Sequence, residues 1–212
     1  GPVRCKPLFL ENGDLLCPSS TEHDNDWRFH FEILTDFLRP ELGTSWKRIE
    51  PETQLFQVIQ PTLLTQSDGS IRALMRSKHE QIAESISTDG ARTWSDLKLI
   101  DLPNNNSGIE AVTLEDGRHL LLYNHTGGRP DQNDGWGRRN VLNLAVSEDG
   151  AKWKEVATIE KEDTGEFSYP AMIQTSDGLI HMTYTWNRQK VKHVVVDPAK
   201  LMVGKTLNLD FE

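Results

Sequence analysis

The sequence contains little that would support a membrane protein, a nucleic-acid-binding protein or a metalloprotein. No stretch approaches the roughly 20 apolar residues that a membrane helix requires, and the first residues do not form a signal peptide. Lysine and arginine form no cluster and the net charge is −9, whereas binding to duplex nucleic acid needs a concentrated basic surface. No His, Cys, Asp and Glu residues have the spacing of a metal site. We therefore predict no nucleic-acid or membrane partner and no metal or other cofactor.

The sequence also has only two cysteines, Cys5 and Cys17, which flank an Asn-Gly turn at 12–13. A two-residue turn there pairs Cys5 with Ser20 and Cys17 with Leu8. This register keeps the two thiols apart, so we predict two free, half-buried cysteines.

Helical periodicity is nearly absent, and a β-hairpin pattern occurs four times. Each copy has an apolar run, an Asn-Gly or Asp-Gly pair and a second apolar run, which together are the strongest short signal for a hairpin. The turn glycines are Gly13, Gly69, Gly117 and Gly178. The repeat predicts an all-β fold.

A second motif follows the first three hairpins. Residues 87–94 read Ser-Thr-Asp-Gly-Ala-Arg-Thr-Trp, residues 147–153 are one residue shorter, and residues 35–46 are a stretched copy. In this Asp-box pattern, Asp and Ser side chains tie a turn and the Trp plugs it. Asp boxes in phase with hairpins predict a partial β-propeller, a single domain over residues 1–212. The expected blades lie at about 4–50, 55–102, 106–160 and 166–202.

The repeat register predicts the position of a site. The innermost strand of a blade runs to the turn and the second strand returns, so residues nine before and seven after the turn glycine share one face. The positions before the turns hold Arg4, Gln60, Gly108 and Tyr169, and those after them hold Ser20, Arg76, Asn124 and Thr185. We expect Gln60, Arg76, Glu110, Asn124 and Tyr169 to converge near the propeller axis.

Two further segments border this predicted site. One is the Asn-Asn-Asn-Ser run that ends at Ser107, and the other is the loop 127–139, which carries Arg138 and Arg139. In the same loop, Trp136 either stacks on a sugar or anchors the loop.

The chain resembles the BNR/Asp-box sialidase superfamily, specifically its bacterial "sialidase family" branch, over residues 6–201. The matching stretches include Ile59–Pro61, Arg76–Ser77, Asn106–Val112, Leu122–His125 and Ser168–Pro170, and also His181–Trp186 and Lys192–Val195. The resemblance implies a six-bladed propeller, of which this chain holds about four blades. It also favours a secreted or periplasmic location.

Sialidases of this superfamily bind the sugar carboxylate with three arginines and use a Tyr nucleophile assisted by a Glu, with an Asp as acid/base. The resemblance implies that Tyr169 is the nucleophile, that Arg76 is one arginine, and that Arg139 or its neighbour Arg138 is another. Asn124 and Ser107 are further candidates for substrate binding. The remaining arginine and the Asp belong to blades expected on another segment or chain.

One departure affects the predicted chemistry. Gln60 stands where the resemblance implies the Glu, and Gln cannot accept a proton from the phenol. Glu110 on the next blade is the candidate replacement. The leading hypothesis is a sialidase-type glycoside hydrolase that removes a terminal acidic sugar. The alternatives are a hydrolase or lyase acting on a uronic-acid-containing glycan and a non-catalytic glycan-binding propeller.

Overall fold

The structure, a computed structural model, describes residues 4–24, 26–53, 57–127, 137–201 and 207–208. Its regular elements are strands, apart from two single-turn 3-10 segments at Pro40–Leu42 and Pro198–Lys200, and no helix within these ranges could cross a membrane. The all-β prediction is confirmed.

The strands form four antiparallel meanders. The first sheet contains β1 (Leu8–Phe9), β2 (Leu15–His23), β3 (Asp26–Thr35) and β4 (Ser45–Ile49), and the second contains β5 (Val58–Thr65), β6 (Ile71–Ser77), β7 (Gln81–Ser87) and β8 (Lys98–Pro103). The third contains β9 (Glu110–Thr113), β10 (His119–Tyr123), β11 (Val141–Ser147) and β12 (Lys154–Lys161), and the fourth contains β13 (Phe167–Gln174), β14 (Ile180–Trp186) and β15 (Lys190–Val196). A short strand, β16 (Leu207–Asn208), pairs in parallel with β12.

The chain divides into two compact units, each with its own apolar core. The first comprises residues 1–76 and 83–99, and its core includes Leu16, Phe31 and Met75. The second comprises residues 77–82 and 100–212, and its core includes Leu144, Phe167 and Tyr184.

All four predicted hairpin turns have the same geometry. The amide of each turn glycine donates to the carbonyl three residues earlier at 2.8–3.0 Å, and φ of the glycine lies between +81° and +89°. This is a type I turn followed by a left-handed bulge residue, a position where glycine avoids the steric cost of a Cβ. The repeat therefore reflects one turn chemistry used four times.

The bulge changes the predicted cysteine register. Leu8 pairs with Leu16 rather than with Cys17, because the bulge adds one residue to the turn. The predicted pairing was therefore wrong. Cys5 and Cys17 form no disulfide with each other, as predicted, but both are buried rather than half-buried.

The Asp boxes at 87–94 and 147–153 form tied turns. The Asp89 carboxylate accepts hydrogen bonds from the Ser87 hydroxyl at 2.9 Å and from the amides of Arg92 and Thr93 at 3.0 and 2.9 Å. The indole of Trp94 stacks on Phe31 with ring centroids 4.0 Å apart, which anchors the box to the core of the first unit.

The stretched third copy at 35–46 departs from the motif. Its Trp46 lies on β4 with 55% of its surface exposed, so it plugs no turn. The prediction of an Asp box there was wrong in this respect, because the chain forms a 3-10 turn at Pro40–Leu42 before the strand.

Candidate functional site

Left-handed backbone marks three of the four predicted positions at the strand starts. Arg4, Gln60 and Tyr169 have φ of +61°, +57° and +52°. Such a conformation costs a non-glycine residue about 1–3 kcal/mol and recurs at functional sites. In the third repeat, the left-handed residue is Asn106, two positions before Gly108. The same strained conformation therefore recurs at or near equivalent positions of the repeat, which makes these residues candidates for a functional site.

In the first unit, Gln60 joins an arginine to a carboxylate. Its Oε1 accepts a hydrogen bond from Arg76 Nη1 at 3.2 Å, and its Nε2 donates to Glu22 Oε1 at 3.3 Å. The Arg76 guanidinium, which is buried, lies 5.5 Å from the centre of the Trp27 ring. Glu22 was not identified from the sequence, because only the pairing of β2 with β3 and the position of β5 bring it to Gln60.

In the second unit, Tyr169 lies beside an arginine that is paired with a carboxylate. Its side chain is 48% exposed, and the Arg139 guanidinium lies 5.5 Å from the centre of its ring. Arg139 Nη1 is 3.7 Å from Glu166 Oε1. Tyr169 and Arg139, which the sequence analysis assigned to one site, therefore lie beside each other.

The same unit adds two residues that sequence reasoning missed. Arg188 donates through Nε to both carboxylate oxygens of Glu166, at 2.8 and 3.0 Å. The hydrogen bonding to Glu166 is the main reason why the pKa of Arg188 is raised. Glu166 and Arg188 meet because Phe167 pairs with Trp186 across the β13–β14 hairpin. Neither Glu166 nor Arg188 belongs to a motif that the sequence shows.

An open cavity of about 760 Å³ includes these groups. It is lined by Tyr169, Glu166, Arg188, Arg139, Arg138 and Asp163, among others. A cavity of this size falls in the range of small-molecule sites.

The remaining predicted residues of the second unit are buried. Asn124 Nδ2 donates to the carbonyls of Val141 at 2.6 Å and Phe167 at 2.8 Å, so its amide nitrogen holds backbone in place. The amide of Ser107 donates to Asn104 Oδ1 at 3.1 Å. Glu110 begins β9 and is almost completely buried.

Several buried polar atoms of this unit have no hydrogen-bond partner among the described residues. They are Asn104 Nδ2, Asn105 Oδ1, both side-chain atoms of Asn106, Ser107 Oγ, Asn124 Oδ1 and Ser168 Oγ. Buried polar atoms are normally paired, so this concentration of unpaired atoms is unusual. Trp136 lies outside the described residues.

Within the described ranges, no three His, Cys, Asp or Glu residues are placed to hold a metal ion.

The repeated hairpin turns and tied Asp boxes define a protein of the BNR repeat class. The chain belongs to the BNR repeat-like domain family, whose model matches residues 1–182. It is 23% identical over 164 residues to the anhydrosialidase of Macrobdella decora, an alignment that covers 70% of this chain and 21% of that protein. The predicted membership of the sialidase superfamily is confirmed.

Solved structures show the fold. A mutant of the NanB sialidase of Streptococcus pneumoniae aligns with a TM-score of 0.71 at 17% identity, covering 92% of this chain and 31% of that chain. The intramolecular trans-sialidase of Ruminococcus gnavus aligns with a TM-score of 0.64 at 17% identity, covering 93% and 44%. The predicted sialidase-type propeller fold is confirmed. The chain spans less than half the length of each of these relatives.

Proposed function

We propose that the chain belongs to a glycoside hydrolase of sialidase type that removes a terminal acidic sugar, similar to sialic acid, from glycans. Tyr169 acts as the nucleophile and Arg139 binds the sugar carboxylate. Arg76 is assigned a second contact to the carboxylate by the resemblance alone.

The observation that carries the proposal is the environment of Tyr169. A buried structural tyrosine would pack its ring, whereas Tyr169 is half-exposed on left-handed backbone next to a guanidinium. A phenol is neutral, so it avoids the repulsion that a carboxylate nucleophile would have with an anionic sugar. The three named relatives, an anhydrosialidase, a sialidase and an intramolecular trans-sialidase, support a sialidase-type activity.

The test is hydrolysis of a fluorogenic sialoside by protein that contains the whole 212-residue chain. Tyr169→Phe removes only the hydroxyl, so we expect a fall in kcat on the order of 10²-fold or more. Tyr184→Phe is the control, because it also removes a tyrosine hydroxyl, but one that donates to Glu160 at 2.6 Å and has no assigned role in hydrolysis. A Tyr169→Phe variant that keeps the full rate would rule out the assigned role.

Gln60 favours a second candidate, a propeller that acts on or binds a uronic-acid-containing glycan. Its amide is held between Arg76 and Glu22 and offers no base. A lyase product absorbs in the ultraviolet, and sugar binding without turnover would indicate a binding protein. Product analysis separates these outcomes from sialoside hydrolysis.

A further inference from the structure

The hairpin turn between β14 and β15 places an arginine where glycine is expected. The amide of Gln189 donates to the carbonyl of Trp186 at 3.0 Å, and the two central residues, Asn187 and Arg188, have φ of +50° and +53°. Trp186 pairs with Lys190, so the connection has three residues, 187–189. The β-turn at 186–189 within it has both central residues left-handed, a conformation that Asn, Asp and Gly adopt most readily. Asn187 fits this rule, whereas Arg188 accepts steric strain that a glycine would avoid.

The fold does not need the Arg188 side chain to hold this turn. The amide of Asn187 donates to the Glu166 carbonyl at 2.7 Å, and the amide of Glu166 donates to Asn187 Oδ1 at 2.6 Å. These two bonds tie the turn to the start of β13. The Arg188 side chain is 72% exposed, and exposed ion pairs contribute little to stability. Stability therefore does not explain an arginine at this position.

The position of Arg188 supports a role in ligand binding. Arg188 Nε lies 2.8 Å and Arg139 Nη1 lies 3.7 Å from Glu166 Oε1, so the two guanidinium groups share one carboxylate oxygen. Arg188 uses only Nε in this contact, and its two Nη groups have no partner among the described residues. They remain able to donate to a ligand.

The charge balance of the cavity indicates the ligand class. Three arginines line it, Arg138, Arg139 and Arg188, against two carboxylates, Asp163 and Glu166. One positive charge is left over in a chain whose net charge is −9. A ligand with a single negative charge would neutralise it, and arginine binds carboxylates with paired, charge-assisted hydrogen bonds.

We propose that Arg188 is an additional anion-binding residue, which acts together with Arg139 to bind the carboxylate of an acidic monosaccharide over Tyr169. The inference rests on the proposed function for its sugar class. It goes further in assigning a carboxylate contact to a residue on the β14–β15 turn. Glu166 acts as a positioning residue that holds both guanidinium groups.

The test is calorimetric titration of the chain with N-acetylneuraminic acid and D-glucuronic acid, with N-acetylmannosamine as the neutral probe. Arg188→Gly removes the guanidinium and relieves the backbone strain. We expect it to weaken binding of the acid about 10- to 100-fold, the loss typical of hydrogen bonds to a charged group. Its thermal midpoint should not fall. Arg188→Lys should keep part of the affinity, and Lys152→Gly, an exposed cation at an Asp box, should keep all of it.

The possible outcomes are separable from those of the hydrolysis assay. Loss of acid binding in Arg188→Gly, without any sialoside turnover by protein that carries this chain together with the remaining blades, supports this inference and refutes the hydrolase. Turnover with an unchanged KM in Arg188→Gly refutes the inference alone. Failure of the unchanged chain to bind either acid, or equal losses in Arg188→Gly and Lys152→Gly, would also overturn it.

Discussion

The Asp box at Asp89 should stabilise the fold in a pH-dependent way. Its carboxylate accepts four hydrogen bonds, two from the Thr93 amide and hydroxyl, one from the Arg92 amide and one from the Ser87 hydroxyl. The bonds from Thr93 make the largest contribution to lowering the pKa of Asp89 from 3.8 to about 2. Each unit by which a folded-state pKa is lowered corresponds to about 1.4 kcal/mol. Because this turn is exposed and solvent screens the charge, the charged form of Asp89 contributes less than the full shift, about 1 kcal/mol at neutral pH.

The sign of the pH dependence follows from the lowered pKa. A group whose pKa is lower in the folded state stabilises fully above its unfolded pKa, and the contribution is lost as pH falls through the folded pKa. We expect Asp89→Asn to lower the free energy of unfolding by about 1 kcal/mol at pH 7. The difference in the free energy of unfolding between this variant and the unchanged chain should fall to about half by pH 3. It should nearly vanish below pH 2.

The assay is urea denaturation of both proteins at several pH values between 7 and 3. Asp149→Asn is the matched control, because the Asp149 carboxylate accepts bonds from the Ser147 hydroxyl and two amides but from no hydroxyl equivalent to that of Thr93. We expect a smaller and similarly pH-dependent loss there. The reasoning would be refuted if Asp89→Asn did not lower the free energy of unfolding at pH 7, or if it lowered this energy equally at pH 7 and pH 3.

Two further substitutions test individual residues. Asn124→Ala removes the side-chain donor to the carbonyls of Val141 and Phe167, so the free energy of unfolding should fall by about 2 kcal/mol; an unchanged urea midpoint would contradict this structural role. Gln60→Glu restores a group that can accept a proton and that Arg76 can pair with, so sialoside hydrolysis should rise at least about 10-fold. A rate no higher than that of Gln60→Ala would contradict the role inferred for this position.

Local sequence was sufficient for the repeat and much of the fold class. The turn glycines and the boxes at Asp89 and Asp149 depend on hydrogen bonds within a few residues, so their pattern is readable without tertiary structure. The register of the paired strands was harder to predict from the sequence, because a single bulge residue changes the partner of Leu8 from Cys17 to Leu16.

The candidate site was only partly predictable for a similar reason. Tyr169 and Arg139 could be placed by counting from the turn glycines and by resemblance. Arg188 and Glu166 are 22 residues apart in the chain, and neither belongs to a recognised motif. Trp46 occupies the Trp position of a stretched box but is exposed, because the intervening 3-10 turn alters the path of the chain.

The sequence by itself therefore determined the all-β repeat, the family, and the equivalent places of Gln60 and Tyr169 in their strands. Local turn chemistry and apolar patterning act over short distances and leave direct traces in the residue order. Only the tertiary structure decided which carboxylates meet Gln60 and Arg188. Contact between β2 and β5, which belong to different sheets, brings Glu22 to Gln60, and the pairing of β13 with β14 brings Glu166 to Arg188.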